Sequence, residues 1–560
     1  MSGETASSGW MVKLELAYRE LDMSFRAFLI TRVLPIFFLG LFTIIVIWWL
    51  FPDIISGWLF LILMFVPVYL AVLVLFWPLV EWERKGLAID RDMHLFITRI
   101  GTLSTGESSR QSILELLSEM EGYRELADEV RKIYKLAEEW HVGLSASCRF
   151  IAKQTPSDLF SDFLYRLAHS MEAGDSAIEF FQAEQTAFME MYAANYRSSM
   201  RNVDVMNEVF LSLVISAMFI MVVVALFPLL TGQDANLLMS LAVLIFIFIE
   251  GGFLFFLWAA IPGERLWYNG PLETVQAREI RKRLGVSILL CFLFGFLILL
   301  GAPHISIPLA IAFTLTPLAY PGLYANLQEM EIKRKDDNFP SFIRTLGSTQ
   351  EATGKVAVLA LKKLSYHDFG PLTDNIRALY KRVAMRIDRR RAWQLFGAET
   401  NSELISKFSE MFSEGTSAGG EPRAISRIIS TNFSRLLSLR IEKFQAQGRI
   451  TGILYGLAIA MTVILYLALF LVEGFFDMFK GVEPIQGFDF VLLIQQNTFD
   501  LELLSFLIIC LLVFHALVST AITRIIGGGH WVGGLTHLVG LMWMIAISAV
   551  ITKYLIVRLF

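Results

Sequence analysis

The sequence predicts an all-α polytopic membrane protein with about nine transmembrane helices and two helical-bundle domains, internally duplicated. Three observations predict it. Of 560 residues, 55% are hydrophobic and 18% charged, with a mean hydropathy of +0.57, too apolar for a soluble globule of this length. About nine apolar runs approach or exceed the roughly 18 residues that carry a helix across roughly 30 Å of hydrocarbon. The runs come in two sets of pairs, each set interrupted by a polar stretch of roughly 125 residues, and the second set repeats the first at an offset of about 245.

Taken in order, residues 1–33 are polar and amphipathic. They lack a short apolar core and a small-residue cleavage site, so the first span is expected to act as the insertion signal. Leu34 to Phe51 and Trp58 to Val80 form the first transmembrane pair (34–80), and the first polar domain covers 81–208. A second pair follows (209–261, spans Val209 to Leu230 and Leu237 to Ile261), then a basic linker (262–284) carrying Arg278, Arg281, Lys282 and Arg283. The third pair (285–325) comprises Val286 to Gly301 and Ile305 to Tyr324, where Pro308, Pro317 and Pro321 predict a kinked or shortened helix. The second polar domain covers 326–449, a fourth pair 450–523 (Ile450 to Phe476, Leu501 to Thr523), and a last span 537–560.

Lys and Arg near span ends are retained on the cytoplasmic side. Lys13, Arg19, Arg26 and Arg32 precede the first span, and Arg84, Lys85 and Arg91 follow the second, whereas Pro52 to Gly57 and Thr231 to Asn236 have none. Lys480 is the only basic residue between Asp477 and Asp500. The count therefore places the N-terminus, the linker and both large domains in the cytoplasm. Lys553 and Arg558, predicted outside, would anchor at the interface by snorkelling. Cys148, Cys291 and Cys510 include no close pair, which excludes a disulfide framework and a zinc site.

Both domains read as bundles of short helices. Apolar residues recur three and four apart through Ile113, Leu114, Leu117 and Met120, and again through Phe160, Phe163, Leu164 and Leu167. The second domain repeats the habit in Phe342 to Leu346, Val358 to Leu364, Ile376 to Val383, Leu404 to Phe412 and Ile425 to Leu437. Phe96, Ile97, Ile100 and Gly101 match Phe342, Ile343, Leu346 and Gly347, and Ala173 and Gly174 match Ala418 and Gly419, at nearly one offset.

The domain openings FITRIGTLSTGES and FIRTLGSTQEATGK, the glycine motifs LAHSMEAGDS and FSEMFSEGTSAGG, and the spans after them resemble the F-type platform domain of type II secretion and type IV pilus machines. The resemblance covers nearly the whole chain, and Phe96, Gly101, Gly174, Phe342, Gly347 and Gly419 are its repeat-motif positions, with an expected structural role. With two domains and more spans than the smaller bacterial platforms, the chain is most similar to the archaeal branch that serves the archaellum. The resemblance implies a non-enzymatic platform in the cell membrane, beneath a filament of pilin-like subunits. Its partners would be a hexameric secretion-type ATPase with an accessory protein, driving assembly and rotation. An axial position under one filament suggests a homodimer or other small closed oligomer. A platform of another archaeal pilus or secretion system is the alternative.

The residues agree with a non-enzymatic role. The nearest string to a phosphate-binding loop, at Gly354 and Lys355, lacks the first glycine and the following Ser or Thr. No cofactor fingerprint, metal spacing or catalytic constellation can be assembled. A secondary transporter of parallel repeats would place charged, broken-helix positions at the midplane of both halves, and Glu250 has no acidic counterpart at the repeat offset.

Charge separates the domains. Residues 81–208 hold 14 Lys and Arg against 22 Asp and Glu, and residues 326–449 hold 21 against 14. In the second, Lys381, Arg382, Arg386, Arg389, Arg390 and Arg391 fall within one expected helical stretch. They are candidates for docking an acidic face of the ATPase or its accessory protein; a solvated helix held to anionic headgroups is the other reading. Nucleic acid fits poorly, since only Tyr380 and Trp393 flank the cluster. In the fourth span, Glu250 should face a partner or the bundle interior, because an ionised carboxylate there costs roughly 2 to 3 kcal/mol or more. It reads either as a contact that fixes the platform or touches the filament base, or as a protonated carboxyl bonded to a neighbouring helix. Gly251 and Gly252 would let another helix approach closely.

Overall fold

The computed structural model describes residues 16–18, 25–50, 57–106, 113, 115, 118, 123–231, 235–261, 263–301, 305–480 and 501–559. Lys13, Arg19, Leu114, Leu117 and Met120, and most of the connections Pro52 to Gly57 and Asp477 to Asp500, lie outside the described residues. Regular structure among the described residues is helical, apart from one isolated antiparallel bridge between Trp267 and Ser402. Eight of the described helices are long and apolar enough to cross a membrane. The predicted span Trp58 to Val80 lies in a further helix, Gly57–Leu103, which contains Pro67 and Pro78. Outward apolar side chains such as Phe248 (81% exposed), Phe292 (77%) and Leu299 (80%) are what a lipid-facing helix requires.

The chain divides into two compact units, Met1–Thr186 and Ala187–Phe560. In the first, α1 (Phe25–Phe28) and a π-helical turn (Leu29–Val33) lead into α2 (Leu34–Leu50), which packs on α3 (Gly57–Leu103). Tyr18 donates its hydroxyl to the carbonyl of Leu75 at 2.7 Å. The polar end of α3 and the short helices α4 (Arg124–Glu138), α5 (Leu144–Ala152) and α6 (Asp158–Ala173) enclose a small core. Leu126, Ala127, Val130 and Ile133 recur at helical spacing on the buried face of α4. Phe96, Phe160 and Phe163 pack with ring centroids 6.2 to 6.3 Å apart. Helix α7 (Ala177–Thr231) begins in this unit.

The second unit continues with α8 (Ala235–Ala260), α9 (Val275–Gly301) and α10 (Ile307–Leu315). A 3₁₀ turn, Thr316–Leu318, interrupts the sixth span before α11 (Ala319–Ala352), and Pro317 lies in that turn, as its missing N–H and fixed φ predict. Helices α12 (Ala357–Leu364), α13 (Thr373–Ala384), α14 (Arg389–Thr400) and α15 (Glu403–Ser417) build the second bundle. Helix α16 (Pro422–Lys480), α17 (Leu501–Gly527), a 3₁₀ turn (Trp531–Gly534) and α18 (Leu535–Leu559) complete the chain. Phe342, Phe396, Phe408, Phe412 and Phe433 are fully buried in this bundle.

Four expected domain boundaries fall inside uninterrupted helices. The change from apolar to polar sequence at 80, 208, 325 and 449 occurs within α3, α7, α11 and α16. Hydropathy there reports the membrane surface rather than a helix end, since no capping signal accompanies it. At 55 and 59 residues, α7 and α16 run roughly 80 to 90 Å at 1.5 Å per residue, far beyond the hydrocarbon.

The repeat is visible in geometry. Ser157 caps α6 by accepting from Phe160 N and donates to Asp90; Ser402 caps α15 by accepting from Ile405 N and donates to Asp336 at 2.5 Å. His141 (φ 51°) and Arg386 (φ 57°) are left-handed non-glycine residues at equivalent turns. Gly174 (φ 74°) and Gly419 (φ 85°) end equivalent helices in the conformation that a side chain disfavours.

Candidate functional site

Within the second unit, five separated segments converge on a buried ionic node: the linker after α8, the polar part of α11, the start of α15, α16 near residue 440, and the turn between α17 and α18. Arg440, 4% exposed, donates to Asp336 Oδ2 at 3.2 Å and to the carbonyl of Arg265 at 3.0 Å, and its Nε lies 3.5 Å from Glu264 Oε2. Arg524, also 4% exposed, donates to Glu329 Oε2 at 3.0 Å and to Asn326 Oδ1. Glu329 Oε1 further accepts from Trp267 Nε1 at 3.2 Å and from His530 N at 2.8 Å. The linker is fastened to the bundle by backbone bonds from Tyr268 N to Asn401 O (3.0 Å) and from Glu403 N to Leu266 O (3.2 Å).

Local sequence explains why these charges can meet. A Cβ at Gly529 or Gly533 would collide with the Glu329 carboxylate or the Arg524 guanidinium, so the glycine-rich turn is fixed by close approach. His530 is a turn residue whose Nδ1 accepts from Val532 N at 3.2 Å. On the bundle side, a Cβ at Gly347 would collide with Ser426 and stand 2.5 Å from the Pro422 carbonyl, which brings α11 against α16. Gly101 is less tight, its Cβ position 3.3 Å from Gln185 Cγ in the first unit.

Burial pushes the Asp336 carboxyl up to about 6, with Arg440 and the Ser402 hydrogen bond opposing the rise. A raised carboxylate stabilises the fold most below its unfolded value near 4, and that contribution is lost as pH climbs through 6. The expected size, from about two pH units, is on the order of 3 kcal/mol. Unfolding measured from pH 4 to pH 6 should therefore show wild type losing stability relative to Asp336→Asn as pH rises; parallel curves would contradict this reading of the node.

The predicted basic cluster is present but is not one helical stretch. Helix α13 stops at Ala384, Arg386 adopts a left-handed φ, and Asp388 restarts α14 by accepting from Arg391 N at 2.8 Å. Arg386 N and Ile387 N bond back to the carbonyls of Val383 and Arg382, closing α13. Two of the six cations serve the bundle itself: Arg382 pairs with Glu399, and Arg389 donates to Thr416 Oγ1 at 2.7 Å. Lys381, Arg386, Arg390 and Arg391 are exposed, and beside them stand Met385 (68% exposed) and Ile387 (39%). The turn thus presents apolar side chains inside a cationic rim.

Glu250 faces the bundle interior. It is fully buried and paired with Nδ1 of His515 on α17, itself fully buried, and Ser519 Oγ lies 3.4 Å from the other ring nitrogen. Gly251 and Gly252 do not mediate close packing within the chain: a Cβ at either meets nothing within 4 Å, because the contact with α17 is made through Glu250 on another face of α8. Neither His515 nor the node is signalled locally in the sequence. Their partners lie far apart along the chain, and the available signal was polar residues in or beside apolar runs.

Long helices that run from a polar bundle into apolar spans, with charged groups locked where the two meet, define an integral membrane protein built as a platform. Residues 96–225 match the family described as type II secretion system (T2SS), protein F. The chain is 33% identical to flagella accessory protein J of Methanocaldococcus jannaschii over 540 residues, 95% of each chain. It is also 33% identical to flagella accessory protein J of Methanococcus voltae over 505 residues, 88% of this chain and 90% of the relative. The chain belongs to the flagella accessory protein J family. No solved structure matches it.

Proposed function

We propose that the protein is the integral membrane platform of an archaeal filament machine, the archaellum, anchoring the filament base and coupling a cytoplasmic hexameric ATPase to filament assembly and rotation. The observation that carries this reading is helix continuity. Helix α16 runs from the second bundle through its span without a break, α11 crosses the same boundary before the turn at Thr316–Leu318, and the buried node ties both to the linker after α8 and to the end of α17. A displacement of the bundle then reaches the spans through rigid elements rather than through loops. Both bundles lie on the cytoplasmic face in this proposal, as the Lys and Arg distribution requires. The platform is non-enzymatic, and ATP is hydrolysed by the partner. Pilin-like subunits at the filament base, an accessory protein and a second copy of the chain complete the assembly. The type II secretion family match supports the wider reading, a platform of another archaeal pilus or secretion system, equally well.

The exposed basic turn is the proposed ATPase contact, with complementary charge steering association. At ~50 mM salt, the K381E/R386E/R390E/R391E chain in detergent should lose at least about tenfold in affinity for the purified secretion-type ATPase, or roughly 1.4 kcal/mol. Its thermal unfolding should stay near that of wild type, because none of the four holds the bundle. Undiminished binding would remove the turn as the contact.

A further inference from the structure

Three ion pairs join α7 to α16, and all three lie at the repeat offset. Glu190 pairs with Arg435 at 3.8 Å, Arg197 with Glu442 at 3.2 Å, and Asp204 with Arg449 at 2.9 Å. Each residue thus faces its own counterpart in the other half, which means that the two helices run parallel and in register. The pairs are one heptad apart. In α7 they flank a buried stripe of Ala193, Tyr196, Met200 and Val203, and in α16 they flank Leu436, Leu439, Lys443 and Ala446. Those are the flanking positions that choose partners in two-stranded parallel coiled coils.

Every charge is inverted between the halves. The first half carries minus, plus, minus, and the second carries plus, minus, plus. If the α7 of another chain took the place of α16 in the same register, Glu190 would face Glu190, Arg197 would face Arg197 and Asp204 would face Asp204. Attraction at three positions would become repulsion at three. Exposed pairs of this kind contribute little to stability individually, with side chains 31 to 66% exposed. Discrimination, however, depends on the difference between the right and the wrong partner.

We propose that α7 and α16 recognise each other through this inverted charge code, so that the two halves pair within one chain and reject the same half of a second chain. A homodimer of the platform then uses another surface.

The test uses the full chain in detergent with Cys148, Cys291 and Cys510 replaced by alanine. Cysteines are introduced as R197C and E442C and joined by a short bis-maleimide. An internally cross-linked monomer is expected, and R197C alone should give little cross-linked dimer. Adding E190K/D204K should lower the internal product at least threefold at ~50 mM salt, with a smaller loss at ~1 M, where exposed charges are screened. Adding R435E/R449E as well should restore it. If the one-sided variant does not fold, recovery of a folded, internally cross-linked chain by the two-sided variant supports the code. Failure of that recovery, a yield indifferent to one-sided reversal, or cross-linking mainly between chains overturns it.

Discussion

Replacing Arg524 with methionine is expected to cost about 3 to 5 kcal/mol, because it leaves the buried Glu329 side chain without its guanidinium partner. Trp267 and His530 would still donate to one carboxylate oxygen, but two neutral donors do not replace a guanidinium. Glu329→Gln in the same chain should recover most of the loss, since the amide needs no counter-charge and Asn326 and the turn remain in place. Urea unfolding of the purified chain in detergent measures both. Similar midpoints for wild type and R524M would show that the Arg524–Glu329 pair adds no net stability, and the node would lose its electrostatic basis.

Arg440 is expected to matter as much. It touches Asp336, Glu264 and the Arg265 carbonyl together. Arg440→Met should therefore cost about 3 to 5 kcal/mol at neutral pH, where Asp336 must either stay ionised without its cation or take up a proton. At pH 5 the cost should be smaller, because Asp336, already raised to about 6, takes up its proton and no longer needs the cation. A cost independent of pH would mean that Arg440 acts by packing alone.

Much of the fold was legible in the sequence, for reasons that can be traced. The spans follow from hydropathy, because an unsatisfied backbone in hydrocarbon leaves helix as the available form. The break at Pro317 follows from a missing N–H. The repeat is legible through Phe96 with Phe342 and Gly174 with Gly419, and a stronger sign lies in the capping serines. Ser157 to Phe160 and Ser402 to Ile405 read SDLF and SELI, and each Ser meets an Asp at the matching position, Asp90 or Asp336. The basic cluster is legible in the sequence as one helical stretch, whereas Arg386 closes the first helix and the Asp388 side chain caps the start of a second. The node and the Glu250–His515 pair could not be read locally. Arg440, Arg524 and His515 look like ordinary flanking or interrupting polar residues until the fold sets them against acids from distant segments.

Mechanical coupling requires the second bundle to be held rigidly to the ends of the spans. Spin labels at Tyr366, 80% exposed in the bundle, and at Trp531, 64% exposed in the turn between α17 and α18, report this directly through their distance distribution in lipid nanodiscs. A single narrow distance is predicted for the wild-type chain, broadening when Arg440 and Arg524 are both replaced by methionine. A broad distribution in the wild type, or an unchanged narrow one after the node is removed, would contradict it.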